Sequence, residues 1–449
     1  MAWVDLRLPH VTTHCKWHAD FRCCGESNVL KGVTRLYSQI KVSAANNSFR
    51  LRYQSSARHC GQAHISQTKM SRRDTLLNHT AGREVEESKG DVPAGGGDAA
   101  RKAKKSLPPF DKQTRKHMSY VREWFTVSVG ATMNGMRDQD EDALIVSAAL
   151  ENFPNARMFS LFDGHAGQEA ARRCSANASR IFGQLTGLSP AALKQACLEL
   201  DERIRNYPGP CLKSGSTGVI AIVNAVEMPS GTFFNIHMAN VGDSRAFLLH
   251  MSDDTYEILT RDHKPNQVEE LQRIQKAGGC VRRIHKRVWR VNGFLALSRS
   301  FGDFALKRVA SKTPEEQQVI AVPGVSTATA RPGDYLLLGC DGVFEGEGMS
   351  WDFVARLLKE SIVFFGGDIA ATVNHLIDIA FALGSRDNIS ILLIKFTNRI
   401  LTPQVKRFEI EVDGTARELP VEILPGQDIS TSTAGVYKRD HSLLVTLFS

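Results

Sequence analysis

The chain has 449 residues, 42% of them hydrophobic, and a formal charge of +8. That length fits one large domain with extensions, or two domains, and the apolar content suffices for a core. No apolar stretch approaches the roughly 18–20 residues of a membrane span. The nine cysteines lack paired CxxC spacing, which argues against a disulfide scaffold and for a reducing, intracellular and most simply cytoplasmic setting.

The charge is unevenly placed. Residues 1–115 hold 20 Lys and Arg against 10 Asp and Glu, which leaves the remainder near −2. The basic balance therefore belongs to an N-terminal extension, so no nucleic-acid partner is expected of the body. Residues 1–115 show no sustained helix or strand period and include the linker-like run DVPAGGGDAARKAKKSLPP at 91–109. The expectation is a mostly disordered extension. Its first 73 residues are basic, contain serine and are poor in acid, which resembles a mitochondrial transit peptide. Asp5 and Asp20 interrupt any basic amphipathic helix there.

From about residue 119 short apolar runs alternate with Gly-Asp turns: FTVSVGA, RMFSLFDG, TGVIAIVNAV, FFNIHMANVGDSRAFLL and DYLLLGCDG. Helical patterns cover 167–185, 266–279, 351–362 and 368–384. ISILLIKF at 389–396 reads as the last core strand. FEIEVDGTARELPVEIL beyond it reads as a hairpin about an Asp-Gly turn. Successive strands without intervening helices favour antiparallel sheets with helices on the outer faces. The domains expected are 1–115 as extension, 116–398 as the body, and 399–449 as a C-terminal extension with a hairpin packed on it.

Four segments place carboxylates beside glycine or at apparent strand ends: RDQDED (137–142), LFDGHAG (161–167), LLLGCDGVFE (336–345) and GSRDNISILLI (384–394). Burying an Asp at a strand end is costly unless a positive charge neutralises it, and divalent cations with oxygen ligands commonly do so. Taken singly, each has a plainer explanation. Asp163 fits a helix cap at least as well as a ligand, His165 fits a surface or core histidine, and RDQDED fits a solvated turn. Arg137 suits bidentate binding of an oxyanion. Four such segments together point to one metal site assembled from distant parts of the chain.

These segments resemble the metal-dependent Ser/Thr protein phosphatases of type 2C. The likeness runs over roughly 119–397. It extends to SGSTGVIAIV (214–223), ANVGDSRAFLL (239–249), LTRDHKP (259–265) and LALSRSFGD (295–303), all in the family's order. The resemblance implies an α+β fold, a four-layer α-β-β-α sandwich of two antiparallel sheets flanked by helices. It implies hydrolysis of phosphoserine and phosphothreonine on proteins by a monomer using two Mn²⁺ or Mg²⁺ ions and a weak third. Asp163 would bridge two ions, with Asp341 and Asp387 on one, Glu141 and the Gly164 carbonyl on the other, and Asp142 acting partly through water. Arg137 would hold the phosphate and His165 would protonate the leaving alkoxide. Two ions about 4 Å apart acidify a bridging water and orient it for in-line attack. Phosphorylated proteins would be the partners, and a pseudophosphatase binding module is the alternative, although every expected ligand is present.

Three departures stand out. The family's Gly-His-Gly-Gly is here Gly164-His165-Ala166-Gly167. The third ion's positions are Asp243 and Glu345, the latter one methylene longer than the family's Asp. The basic stretch RRIHKRVW (282–289) is long, and suits either contact with acidic substrates or a solvated loop. Two other phosphate-enzyme signatures fail on context. Cys174 and Arg180 have cysteine-phosphatase spacing but lie in a helical pattern, and SGSTG lacks a strand-turn-helix elbow and a base.

Overall fold

The computed structural model describes residues 114–207, 213–284, 288–411 and 414–421. It also describes four dipeptide strands, Arg7–Leu8 paired with Val11–Thr12 and Val42–Ser43 paired with Arg50–Leu51. The chain divides into two units, residues 1–29 with 107–449, and residues 30–106. The transit-peptide and linker expectations, and most of the C-terminal extension, lie outside the described residues.

In the body β1 (Lys116–Met133) runs before β2 (Ala143–Leu150), β3 (Phe153–Phe162) and the two-residue β4 (Gly164–His165). Two helices follow, α1 (Glu169–Gly183) and α2 (Pro190–Arg205). Next come β5 (Gly215–Ser216), β6 (Gly218–Met228), β7 (Gly231–Val241), β8 (Arg245–His250) and β9 (Thr255–Ile258). Helix α3 (Val268–Lys276) leads into the hairpin β10 (Val281–Ile284) and β11 (Val288–Val291), then β12 (Phe301–Gly302). The remainder is β13 (Gly324–Ala330), β14 (Tyr335–Gly339), α4 (Trp351–Phe364), α5 (Ile369–Ala382), β15 (Ile389–Ile410) and β16 (Ala416–Leu419).

The strands form a five-stranded sheet, β13-β7-β6-β3-β2, and a six-stranded sheet, β9-β8-β14-β15-β16 with β1 on the other side of β15. All pairings within both are antiparallel. The layers follow from the two-residue period of a strand. In β6, Val219, Ala221 and Val223 face the core between the sheets, while Ile220 and Ile222 face the core under α1 and α2. Strand β3 divides likewise, Phe159 and Leu161 against Met158 and Phe162. Residues of α4 and α5, among them Leu358, Val373 and Ile377, cover the six-stranded sheet. The result is the four-layer α-β-β-α sandwich.

Helix α2 has no counterpart among the helical patterns read from sequence. Its start is signalled nonetheless: the Ser189 hydroxyl accepts from the Ala192 N–H at 3.2 Å, and Pro190 occupies the first turn. The apolar run FFNIHMANVGDSRAFLL is two strands in different sheets, broken at Gly242-Asp243-Ser244. ISILLIKF is the start of a longer strand. β15 continues to Ile410 and pairs with β1 on both sides of an irregular stretch at 397–403, so position 398 falls inside it, and Arg407–Ile410 pairs with Ala416–Leu419. No helix among the described residues is long and apolar enough to cross a membrane.

Candidate active site

Antiparallel pairing gathers alternate strand ends at one edge of the sandwich. Asp163 directly follows β3, Asp142 directly precedes β2, and Asp243 sits between β7 and β8. Asp341 lies two residues past β14, Asp387 two residues before β15, and Arg137 just beyond β1. The carboxylates expected to share a site thus meet there. Oxygens of Asp341, Glu345 and Asp387 lie within 4.8 Å of one another.

The loops carrying these groups are braced by the backbone and by polar side chains. The Asn388 amide donates to the carbonyls of Asn134 and Gln139 at 3.0 and 2.9 Å, and its Oδ1 accepts from the Glu141 N–H at 3.0 Å. Asp387 and the RDQDED turn are therefore held together by one side chain. A Cβ on Gly164 would collide with the Glu141 carbonyl oxygen, so only glycine lets that turn close. SGSTG is a brace: the Asp163 N–H donates to Thr217 Oγ1 at 3.2 Å, and the Thr217 N–H returns to the Asp163 carbonyl at 2.8 Å. LTRDHKP clasps the Gly-Asp-Ser-Arg turn. His263 Nδ1 accepts from the Gly242 N–H at 3.2 Å, and Asp262 takes a two-pronged bond from Arg245 at 3.0 and 2.9 Å. Burial, then the Arg299 charge, pulls His263 down to about 3, so it stays a neutral acceptor.

The electrostatics are those of negative charge crowded into a half-buried site. Burial, then Asp142, Asp341, Asp243 and Asp387, pushes Asp163 well above the usual carboxylate range. Asp341 is pushed up by burial and then by Asp243, Asp387 and Glu345; Asp142 by burial and then chiefly Asp140. Both carboxylate oxygens of Asp142 are shut off from solvent without a hydrogen-bond partner. Two cations touch the cluster. Arg137, 55% exposed, bonds Asp387 at 2.5 Å, and Lys264 pairs with Asp243. An all-oxygen donor set with unspent buried lone pairs fits hard divalent cations of the Mg²⁺ or Mn²⁺ kind.

Beside this cluster stands His165. The ribbon β4-β5-β12 pairs it with Gly215, and Gly215 in turn with Gly302. That register brings Asp303 to His165, with Nε2 2.8 Å from Asp303 Oδ2. The Ser300 hydroxyl donates to the same oxygen at 2.6 Å. A Cβ on Gly215 would strike both partners. Burial works to lower the His165 pKa, but the Asp303 bond and charge, then Asp243 and Glu141, outweigh it and leave it raised. The Asp303 loop is anchored from behind. Lys307, 3% exposed, bonds both Asp201 oxygens and the Ser300 carbonyl at 2.8 Å, and the Gly302 N–H donates to Asp201 at 2.8 Å. Asp303 and Asn388 were not singled out from sequence, although the SFGD and RDN motifs contain them.

The capping and cysteine readings are settled by position. Helix α1 is capped at Gln168, not Asp163. Cys174 is buried inside α1, and burial raises its thiol pKa well above the ordinary value, so it is no nucleophile. Ala166 has φ +57, a left-handed conformation that suits glycine. Ala166→Gly should leave stability unchanged or raise it by up to about 1 kcal/mol, the relief of strain being partly offset by glycine's entropy. Urea unfolding checks this, and a clear loss of stability would show that the loop gains from the methyl group.

Carboxylates crowded at one edge of the sandwich, with an arginine at the rim and a histidine–aspartate pair alongside, are a donor set of the kind that metal-assisted phosphoester hydrolysis requires. Residues 127–389 match the sequence pattern of the Protein phosphatase 2C family, and the chain belongs to it. Human Protein phosphatase 1A is 32% identical over 308 residues, covering 63% of this chain and 74% of that protein. Mouse Protein phosphatase 1B is 31% identical over 303 residues, covering 62% and 72%. The crystal structure of a phosphatase from a pathogenic strain of Toxoplasma gondii superposes with a TM-score of 0.61 at 36% identity, covering 65% of this chain and 99% of that one. The chain is a protein-serine/threonine phosphatase of a metal-dependent family.

Proposed function

We propose that the chain hydrolyses phosphoserine and phosphothreonine on proteins by direct attack of water, with two Mn²⁺ or Mg²⁺ ions held in the carboxylate cluster. The observation carrying this reading is the crowding of the half-buried Asp163, Asp142 and Asp341 within one another's fields, with Arg137 on Asp387 and Lys264 on Asp243 as the cations bonded to the cluster. Asp163 would serve both ions. Asp341 and Asp387 would serve one, Glu141 and the Gly164 carbonyl the other, with Asp142 behind. Asp243 and Glu345 offer a weaker third position, where an incoming cation must displace Lys264 from Asp243. When bound, the ions supply an acidified water and neutralise phosphoryl oxygens.

The chain's own groups do the rest. Arg137, at the rim and half-exposed, can swing from Asp387 to grip two phosphoryl oxygens. A serine alkoxide is a poor leaving group and needs a proton as the ester bond breaks. His165 is placed to supply it. With Nε2 held by Asp303, Nδ1 is the nitrogen that would carry the proton to the leaving oxygen. A pseudophosphatase would be expected to lack ligands or the arginine, and here none is missing.

Rapid-quench single turnover of a ³²P-phosphothreonine peptide tests the direct route. The expected result is labelled inorganic phosphate with no labelled protein at any time. Transient labelling of the chain would overturn the mechanism.

A further inference from the structure

A cleft of about 780 Å³ opens at the end of the six-stranded sheet away from the carboxylates. Lys395 on its wall lies six residues along β15 from Ile389, about 20 Å at roughly 3.3 Å per residue, and Asp387 stands two residues before that strand start. The cleft exists because the β1–β15 ribbon bends. Trp124 is held at φ +50, its ring packed edge-on against Phe125 and Phe234, and the pairing shifts register between Phe396, Leu401 and Gln404. Such bulges turn a ribbon away from its sheet. Beyond the bend Tyr120 pairs with Lys406 and Arg122 with Gln404, and these face the first turn of α5 across the gap.

The charge of this cleft is one-sided. Arg122, Lys395, Arg399 and Lys406 line it against a single carboxylate, Asp368. Asp368 is already engaged, its Oδ1 capping α5 by accepting from the Ala370 and Ala371 N–H groups at 2.9 and 3.0 Å. None of the four cations has an ion-pair partner among the described residues, and Lys395 instead lies over the Tyr335 ring at 5.7 Å. Their neighbours on the same ribbon differ. Arg115 pairs with Glu409 and Glu411, and Lys116 with Asp378. Cations without an ion-pair partner among the described residues therefore coincide with the cleft, while Val127, Ile369, Leu401 and Phe408 give it apolar walls. The cations are spread along the ribbon, at 122 on β1 and at 395, 399 and 406 on β15, and the helix N-terminus is occupied by its own cap. Both features suit an extended acidic segment better than a single compact anion.

We propose that this cleft docks an acidic peptide segment bearing an aliphatic or aromatic side chain, carried by the phosphoprotein substrate at a distance from its phosphoresidue. The source of the segment rests on the phosphatase reading; the binding does not. Anchoring there would raise the local concentration of the phosphoresidue at the catalytic edge.

The test uses the full chain in chelator, so that turnover is silent. The probe is a fluorescein-labelled, unphosphorylated Glu-rich peptide containing one Phe, read by anisotropy. Arg122→Glu with Lys406→Glu should weaken binding by about tenfold or more, and added salt should weaken the wild-type complex. Lys395→Gln with Arg399→Gln, a milder pair, should weaken it in the same direction if the reversal variant does not fold. With metal present, a phosphothreonine peptide joined to the acidic segment by about twelve flexible residues should show a lower KM than the same peptide without the segment. That advantage should vanish in the variants, with kcat and aryl phosphate turnover unchanged. Equal probe affinity in wild type and variants overturns the proposal. So does binding to phosphatidylserine vesicles or inositol hexakisphosphate in place of the peptide. Turnover of the short phosphopeptide reports separately on the phosphatase reading.

Discussion

Asp163→Asn protein should turn over a phosphothreonine peptide more than about 100-fold more slowly than wild type, because losing even an outer-sphere partner of a metal ligand costs 10–100-fold. Asp163 lies within the field of the other carboxylates, pushed up by burial and by Asp142, Asp341, Asp243 and Asp387. An amide keeps the shape and removes the charge that would hold cations. Calorimetric titration with Mn²⁺ should show weaker binding in parallel. Thermal stability should move the other way when metal is removed. A buried carboxyl whose folded pKa exceeds its unfolded value of about 3.9 favours the folded state in acid and loses that contribution as pH rises through the window above 3.9. In chelator, the melting temperature of Asp163→Asn minus that of wild type should therefore grow between pH 4 and pH 7, and Mn²⁺ should restore the wild-type advantage. Full activity in the variant, or a stability difference flat with pH, would remove Asp163 from the centre of the site.

The second large effect separates chemistry from binding. His165→Ala should slow phosphoserine hydrolysis by about 10²–10⁴-fold, the usual contribution of a positioned proton donor. It should slow hydrolysis of 4-nitrophenyl phosphate far less, because that leaving group departs without a proton. Asp303→Asn should show the same split at smaller size, since it keeps a side chain at 2.8 Å from Nε2 but removes the charge that holds the imidazolium. If both variants lose equally on both substrates, His165 is holding the site together and is not donating a proton.

The carboxylates were legible in the sequence because a buried Asp beside glycine at a strand end is a costly arrangement that turns alone do not require. Asp163 and Asp341 each stand directly before a glycine in this way, and Asp387 stands just before a strand-like run. The succession of short apolar runs without helices between them also shows in sequence, and with it the antiparallel layers. What stayed hidden depends on contacts between distant segments. Asp303 acquires its meaning only when two-residue strands at 164–165, 215–216 and 301–302 pair, and strands that short leave no period to detect. Asn388 reads as an ordinary turn residue until Asn134, Gln139 and Glu141 converge on it. Strand β15 was cut short at 396 because its outer half, with Arg399, Gln404 and Lys406, carries no alternating apolar pattern; pairing with β1 extends it. Lys264 on Asp243 was equally invisible, since nothing in DHKP says which carboxylate its lysine meets.

The most direct measurement is phosphate release from a phosphothreonine peptide by the full chain, with Mn²⁺, then with EDTA, beside an Asp341→Asn control. Release that requires Mn²⁺, stops with EDTA, returns when Mn²⁺ is restored and is absent from the control is the predicted result. Release that continues in EDTA, or persists undiminished in Asp341→Asn, would contradict the metal-centred account of this cluster.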